Sequence, residues 1–285
     1  MDLSSPKEIK NILLQYDARP SKRLGQNFLI NKNVLQKIIL TANLNKNDVV
    51  LEVGPGIGTL TQELAKNAGK VIAIEKDKKM IEILKKTLSG FNNIEIINTD
   101  ILRIKTKSYK LKAISYKVVA NIPYYLTSPL IRKLLEYDPP VGGPPQEIIL
   151  MVQKEVAKRI CAKPPDMNLL AVSVQFYAEP KIVSYVSKNC FWPSPKVDSA
   201  IIKIIPNKVR PSVIRKKDFN KLFFKIVKAG FSQPRKQLGN NLSKNLKTDR
   251  KKIDEWLLNN NIKPAQRAET LSIKNWIELA SSFLI

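Results

Sequence analysis

A glycine-rich turn between a buried strand and a helix restricts the folds open to this chain more than any other feature. Hydrophobic residues at 49–51 predict the strand, glycine recurs at positions 54, 56 and 58, and the pattern over 59–66 predicts the helix. Glycine lets a ligand approach the backbone closely because it has no side chain. The third glycine lies one residue too early for the dinucleotide fingerprint Gly-x-Gly-x-x-Gly.

Carboxylates follow the next two predicted strands at the points where these strands end. Residues 71–74 lead into Glu75, and residues 94–98 lead towards Asp100. Asp77 is a second candidate after the first of these strands, but Glu75 lies closer to its end. In an open α/β sheet, ligands bind at the carboxyl ends of the strands, where Glu75 suits ribose hydroxyls and Asp100 an adenine amine. One such acid is more often a solvated loop residue, whereas acids at consecutive strand ends indicate a site.

A polar and aromatic segment follows another hydrophobic run, residues 118–120. Residues 121–124 read Asn-Ile-Pro-Tyr, and Tyr125 comes next. The side-chain oxygen of Asn121 and the carbonyl of Pro123 offer two acceptors, and Tyr124 offers a ring on which a flat base can stack. These groups suit an exocyclic amine. The alternative is an ordinary β-turn after a buried strand.

Strands and helices alternate along most of the chain, which predicts an α/β fold with a parallel sheet. We expect a short helix and a basic arm over 1–24, a main domain over 25–206 and a small helical domain over 207–285. Two late strands, 171–178 and 199–205, are predicted to form an antiparallel pair at one sheet edge. A strand at 147–152 and an irregular loop at 138–145 are also predicted. The predicted helices are 31–42, capped by Asn31, 154–161, 219–229, 250–259 and 273–283.

The composition indicates a polyanionic partner. The chain of 285 residues has 49 Lys and Arg against 24 Asp and Glu, a net charge of +25. Residues 206–285 carry 18 basic and 6 acidic residues, which is +12. Such a surface attracts nucleic acid in a salt-dependent manner. The high positive charge also disfavours self-association, so we expect a monomer.

The chain contains no histidine and two cysteines, Cys161 and Cys190. The lack of histidine excludes Ser-His and Cys-His nucleophile pairs, and no metal site is expected. We interpret the cysteines as reduced thiols. No run of 18 apolar residues and no signal-like N-terminus occur, so we expect a cytoplasmic protein without a membrane span.

The motifs resemble S-adenosylmethionine-dependent methyltransferases, and most closely the adenine N6-dimethyltransferases of small-subunit ribosomal RNA. The matching stretches, in the family's order, are residues 24–29, 52–61, Glu75, Asp100, 121–124, 152–159 and 191–200, with 231–238 and 240–242 near the C-terminus. The family often has Asn where this chain has Tyr125. It usually carries a Tyr-Gly pair between 163 and 174, where this chain reads Asn-Leu-Leu-Ala at 168–171.

This resemblance implies a Rossmann-like class I methyltransferase domain with a small helical C-terminal domain that binds RNA. It implies dimethylation of N6 on two adjacent adenosines in a 3′-terminal hairpin of small-subunit (16S) rRNA, with S-adenosyl-L-methionine as the methyl donor, during late small-subunit biogenesis. The partner is then small-subunit rRNA, or the immature small ribosomal subunit. The cofactor would lie on Asn27, Leu29, Gly54, Gly56, Glu75, Asp100 and Asn121.

The target base would be held by Asn121, Pro123, Tyr124 and Phe191. The amine-binding acceptors would align N6 for in-line transfer without a general base, because the methylated nitrogen loses its proton readily. Phe191 would cover the second face of the base, with a role as a core aromatic as the alternative. For Asn27 the alternative is a helix-cap or turn role. Trp256 and Trp276 are interpreted as core anchors.

Two other functions remain open from the sequence. One is that of the large-subunit rRNA adenine methyltransferases linked to macrolide resistance, which share the Asn-x-Pro-Tyr tetrad and the glycine loop. We disfavour it because Gly25 precedes Gln-Asn-Phe and because residues 231–242 match the small-subunit group better. The other is a non-catalytic RNA-binding assembly factor, which the intact acceptors at Asn121, Glu75 and Asp100 argue against.

Overall fold

A computed structural model describes residues 2–104, 115–135, 144–207 and 217–283. The chain divides into two compact units. The first comprises Met1–Ala157 and Pro180–Pro206, and the second comprises Lys158–Glu179 and Asn207–Ile285. Most of the irregular loop predicted at 138–145 and the start of the helical domain predicted over 207–285 lie outside the described residues.

The first unit is built on a seven-stranded sheet with the order β4-β3-β2-β5-β6-β9-β7. Its strands are β2 (Val49–Val53), β3 (Lys70–Glu75), β4 (Ile94–Asn98), β5 (Tyr116–Asn121), β6 (Glu147–Gln153), β7 (Ala178–Val186) and β9 (Ser199–Pro206). The β2–β3, β3–β4, β2–β5 and β5–β6 pairs are parallel, and β6–β9 is antiparallel. The chain runs from β2 outwards to β4 and then returns to the other side of β2 as β5. This reversal of strand order is where α/β sheets bind ligands.

The helices of the first unit are α1 (Pro6–Gln15), α2 (Lys32–Ala42), α3 (Thr59–Asn67), α4 (Lys78–Thr87), α5 (Thr127–Leu135) and most of α6 (Lys154–Ile160). Asn31 caps α2 as predicted, because its side-chain oxygen accepts the N–H of Val34 at 3.1 Å. A separate two-stranded ribbon pairs β1 (Phe28–Leu29) with β8 (Phe191–Trp192). This ribbon fixes the segment before α2 against residues more than 160 positions later.

The predicted arm over 1–24 contains a helix that belongs to the core of the first unit. Ile9, Ile12 and Leu13 of α1 are buried in one cluster with Phe28 and Ile57. The apolar face of α1 therefore packs on Ile57 near the end of the glycine turn and on Phe28 of β1.

The second unit contains α7 (Leu169–Gln175), α8 (Lys217–Gly230), α9 (Leu238–Leu246), α10 (Arg250–Asn259) and α11 (Ile273–Ser282). Trp276 is fully buried. Trp256 donates its indole N–H to Ser282 Oγ at 2.9 Å. Trp276 is thus the core anchor that the sequence predicted, whereas Trp256 is only half-buried. Helix α9 is an addition to the predicted helices.

The strand predicted over 171–178 is instead a helix, α7. Asn168 caps it by accepting the N–H groups of Leu170 and Ala171, both at 3.0 Å. The edge strand β7 begins only at Ala178. Phe176, just after α7, stacks on Phe223 with ring centroids 4.1 Å apart. These aromatic contacts group residues 158–179 with the helical unit, which differs from the continuous 25–206 domain that we expected.

No helix among the described residues is long and apolar enough to cross a membrane. The same residues contain no group of three or more Cys, Asp or Glu side chains placed to hold a metal ion.

Candidate active site

One cavity of the first unit opens at the carboxyl ends of β2, β3 and β5. Its lining brings together the segments that the sequence singled out: 24–29, the glycine turn, Glu75, residues 99–102, 121–126 and Phe191. The candidate residues therefore converge in space, although they span more than 160 positions of the chain. Every predicted cofactor and base residue lines this cavity: Asn27, Leu29, Gly54, Gly56, Glu75, Asp100, Asn121, Pro123, Tyr124 and Phe191.

The glycine turn needs glycine for its backbone conformation and, at Gly56, also for lack of space. Gly54 and Gly56 have φ angles of 71° and 59°, in the left-handed region that side chains disfavour. A Cβ at Gly56 would also lie 3.1 Å from Phe28 Cε1, and one at Gly54 would lie 3.4 Å from Pro123 Cδ. The turn thus keeps its backbone close to the cavity while packing against β1 and the 121–124 segment.

Glu75 ends β3 with a buried carboxylate, 7% exposed. Its Oε1 accepts the N–H groups of Lys76 and Asp77 at 2.7 and 2.8 Å, and its Oε2 accepts the N–H of Gly56 at 3.2 Å. Burial raises the pKa of the Glu75 carboxyl, and these three backbone donors oppose the rise. The bond to Gly56 ties the end of β3 to the glycine turn.

The second acid considered after β3, Asp77, has a structural role. Its Oδ1 accepts the N–H of Lys79 at 3.0 Å, and this bond caps the N-terminus of α4. Its Oδ2 accepts the side-chain N–H of Gln26 at 2.9 Å, which holds the 24–29 segment over this strand end. Glu75 lines the cavity, whereas Asp77 does not.

Asp100 follows β4 at the rim of the cavity. Its Oδ2 lies 2.8 Å from the Lys76 ammonium, and its Oδ1 accepts the N–H of Leu102 at 3.0 Å. Burial acts to raise the pKa of Asp100, but Lys76, the Leu102 N–H and Arg103 outweigh it and leave that pKa below its ordinary value. Asp100 is therefore an ionised acceptor at neutral pH.

Asn121 at the end of β5 is oriented by the 24–29 segment. Its Nδ2 donates to the backbone carbonyl of Asn27 at 3.4 Å. The side chain of Asn27 in turn donates to the Gly25 carbonyl at 3.1 Å, which is the turn role considered for it from the sequence. With Nδ2 engaged in this way, Oδ1 of Asn121 is the atom left to accept a donor from the cavity.

The carbonyl of Pro123 already accepts the N–H of Leu126 at 2.9 Å, which closes a 3₁₀ turn over Tyr124–Leu126. One lone pair of that carbonyl remains. Ile122 also lines the cavity, and its carbonyl accepts no backbone N–H from the described residues. The carbonyl of Ile122 is thus a further candidate acceptor next to Asn121, which the sequence analysis did not consider.

Tyr124 is fixed at its far end by a residue of another strand. Its hydroxyl lies 2.9 Å from the hydroxyl of Ser199, a fully buried residue at the start of β9. Burial raises the pKa of Tyr124, so the phenol stays neutral. Phe191 is 4% exposed and pairs with Leu29 across the β1–β8 ribbon. Ser199 belongs to a stretch quoted for the resemblance, but nothing in the sequence paired it with Tyr124.

Glu52 is a further acid of the cavity, and the sequence analysis assigned it no role. It lies on β2, lines the cavity and is 1% exposed, and its Oε2 has no hydrogen-bond donor among the described residues. Burial raises the pKa of Glu52 to about 8, the Thr61 hydroxyl opposes the rise, and the charge of Glu75 adds to it. At neutral pH the cavity thus holds a protonated carboxyl beside Glu75.

A family model described as ribosomal RNA adenine dimethylase matches residues 18–282. The chain belongs to this family. It is an rRNA methyltransferase that uses S-adenosylmethionine. The resemblance drawn from the motifs and the predicted α/β methyltransferase fold are thereby confirmed.

Curated relatives cover nearly the whole chain. Ribosomal RNA small subunit methyltransferase A of Dehalococcoides mccartyi (strain CBDB1) is 43% identical over 277 residues, 97% of this chain and 92% of the relative. The protein of the same name from Clostridioides difficile is 42% identical over 284 residues, 98% of this chain and 96% of the relative. The protein of the same name from Geobacillus kaustophilus is 39% identical over 290 residues, 99% of this chain and 97% of the relative.

Two solved structures share the fold over most of their length. A dimethyladenosine transferase from Plasmodium falciparum has a TM-score of 0.74 and 30% identity, and covers 90% of this chain and 97% of its own. The 23S rRNA methyltransferase ErmE has a TM-score of 0.71 and 25% identity, and covers 91% of this chain and 100% of its own. The second likeness shows that the fold alone does not separate the two groups of rRNA substrate.

The cavity fits the cofactor on its own geometry. Two glycines present a backbone without side chains, buried Glu75 and ionised Asp100 provide oxygen acceptors at successive strand ends, and Leu29 and Leu102 add apolar lining. These groups suit a nucleoside joined to an amino-acid tail, and they lie at the strand-order reversal where α/β sheets bind ligands.

Proposed function

We propose that this chain dimethylates N6 of two adjacent adenosines in a 3′-terminal hairpin of small-subunit (16S) rRNA during late small-subunit biogenesis. The observation that carries the proposal is the orientation of Asn121, whose Nδ2 is held by the Asn27 carbonyl, so that Oδ1 is left to accept a donor in the cavity that Tyr124 also lines. The names of three relatives at 39–43% identity support the small-subunit substrate.

The adenine amine is held by oxygen acceptors. Asn121 Oδ1 accepts one N6–H, and a backbone carbonyl of the same segment accepts the other. The carbonyl of Ile122 is the more open of the two candidates, and that of Pro123 retains one lone pair beside its bond to Leu126. Acceptors on both N–H groups favour a pyramidal nitrogen with its lone pair available for in-line attack.

The ring is held by aromatic side chains. Tyr124 stacks on the adenine, and its bond to Ser199 keeps the ring from turning away when no base is bound. Phe191 covers the other face from the β1–β8 ribbon. The target base leaves its stack to enter this pocket.

The cofactor is held by the remaining residues of the cavity. Gly54 and Gly56 lie along the methionine end, Glu75 accepts the ribose hydroxyls and Asp100 accepts the adenine amine. Asn27 and Leu29 close over it. When bound, S-adenosylmethionine supplies an electrophilic methyl group. No side chain acts as a base, because the methylated amine is acidic enough to release its proton to water.

The helical second unit provides the RNA-binding surface. Residues 206–285 carry 18 basic against 6 acidic residues, which favours contact with phosphates. We propose a monomeric enzyme that engages the rRNA through this surface.

The test is transfer of labelled methyl from S-adenosylmethionine to two purified substrates, unmethylated small subunits and protein-free large-subunit RNA, with the modified nucleoside identified by mass. Dimethyladenosine in the small-subunit RNA supports the proposal. Label confined to large-subunit RNA would assign the chain to the macrolide-resistance function instead. Absence of label in both, despite tight RNA binding, would favour a non-catalytic assembly factor.

The amine-holding role is tested with Asn121→Ala. We expect cofactor affinity within a few-fold of wild type, by calorimetry, and a loss of turnover of about 100-fold or more. Asn67→Ala is the matched control, since Asn67 also donates its amide to a backbone carbonyl, that of Glu63 at 2.8 Å, but does not line the cavity. Retained turnover in Asn121→Ala would refute the mechanism.

A further inference from the structure

Tyr125 occupies a special position in the 3₁₀ turn that follows β5. Successive side chains of such a turn point in directions about 120° apart, because it has three residues per turn. Tyr124 is fixed inwards by Ser199 and Leu126 is buried, 6% exposed. Tyr125 is 55% exposed and lines the cavity. The turn thus places one aromatic ring inside the site and the next one at its rim.

The fold does not account for an aromatic residue here. The Tyr125 side chain makes no hydrogen bond and no ring contact with any other described residue. Tyr185 is a useful comparison, since it is 54% exposed, but its ring is covered by the Lys154 ammonium at 5.3 Å and it does not line the cavity.

The nucleotide next to the target base needs a new stacking partner at the rim of the cavity. A base that enters the pocket leaves its stack, so the nucleotide next to it loses a stacking neighbour at that moment. Proteins that bind single-stranded RNA replace such lost stacking with aromatic side chains, which accept the flat face of any base. An uncovered ring next in sequence to the base-holding Tyr124 is placed to do so.

We propose that Tyr125 stacks on the nucleobase adjacent to the target adenine. This inference rests on the proposed function, in which the two targets are adjacent. While one adenosine lies in the pocket, the other remains outside and rests on Tyr125. Tyr125 is thus an RNA-contacting residue that sets substrate affinity, whereas Asn121 and Tyr124 act on the reacting base.

The first experiment measures methyl transfer to small-subunit substrate at saturating S-adenosylmethionine for wild type, Tyr125→Ala, Tyr125→Phe and Tyr185→Ala. Loss of one base–aromatic stack raises KM for the RNA by roughly 5- to 100-fold in Tyr125→Ala, with a much smaller effect on kcat. Tyr125→Phe keeps the ring and recovers most of this loss. Tyr185→Ala behaves as wild type because its ring lies outside the site.

The second experiment places 2-aminopurine at the nucleotide next to the target in an RNA hairpin and follows its fluorescence on binding. Wild type quenches the probe relative to Tyr125→Ala, and cofactor affinity is the same in both. A wild-type KM in Tyr125→Ala, or a loss in Tyr125→Phe as large as in Tyr125→Ala, would overturn the stacking role.

The two proposals fail in different ways. If wild type transfers no methyl to adenine of small-subunit RNA, the proposed function fails and the stacking inference fails with it. If wild type methylates that RNA and Tyr125→Ala matches its KM, only the stacking inference is refuted.

Discussion

Replacing Glu52 by glutamine should remove a pH dependence from the stability of the first unit. Burial on β2 raises the pKa of Glu52 from its ordinary value of 4.5 to about 8. Between these two pH values the folded protein keeps a proton that the unfolded chain has lost. The stability contributed by Glu52 is therefore fully present below pH 4.5 and is lost as the pH rises towards 8.

The magnitude follows from this linkage. With one extra proton bound in the folded state, the free energy of unfolding falls by about 1.4 kcal/mol for each pH unit in that window. For a unit of this size, this corresponds to roughly 3–6 °C in Tm per pH unit. The glutamine variant lacks the slope. It also places an amide where Oε2 has no donor among the described residues, which adds a pH-independent offset of about 1–3 kcal/mol.

The assay is thermal unfolding without cofactor at half-unit steps from pH 5 to pH 9, and the diagnostic is the slope of the difference between wild type and Glu52→Gln. Glu82→Gln is the control, because Glu82 is an exposed acid on α4. Its curve should run parallel to that of wild type. Parallel curves for Glu52→Gln as well would refute the argument that burial holds a proton on this carboxyl.

Three further outcomes are expected. Gly56→Ala should weaken cofactor binding by about tenfold or more in calorimetry. The reason is that a side chain at φ 59° is strained and that its Cβ would lie 3.1 Å from Phe28. Unchanged affinity would show that the turn adapts. Ser199→Ala should lower the free energy of unfolding by about 1–3 kcal/mol and lower turnover on RNA, because the Tyr124 hydroxyl loses its partner at 2.9 Å. Turnover equal to that of wild type would show that Tyr124 needs no such anchor. Glu75→Ala should abolish measurable cofactor binding, since it removes the carboxylate that Gly56, Lys76 and Asp77 hold in place; retained binding would remove Glu75 from the site.

Local patterns predicted most of the first unit because its strands are short hydrophobic runs with clear ends. The run at 94–98 matches β4. In the second unit, the helix predicted over 250–259 matches α10. The segment 171–178 failed because its small and β-branched residues suit a strand as well as a helix. The Asn168 cap and the stacking of Phe176 on Phe223 decided for the helix, and the second of these contacts joins residues 47 positions apart.

The sequence by itself determined the positions of the glycine turn, of Glu75 and Asp100 at strand ends and of the 121–124 segment, because strand ends and turns follow from local periodicity and residue type. Only the tertiary structure decided that Ser199 anchors Tyr124, that the Asn27 carbonyl orients Asn121 and that Tyr125 is left uncovered. It also decided that Glu52 is protonated, since the pKa of a carboxyl depends on the water removed from it by packing. Long-range contacts and desolvation arise only when distant segments meet, which a pattern along the chain does not record.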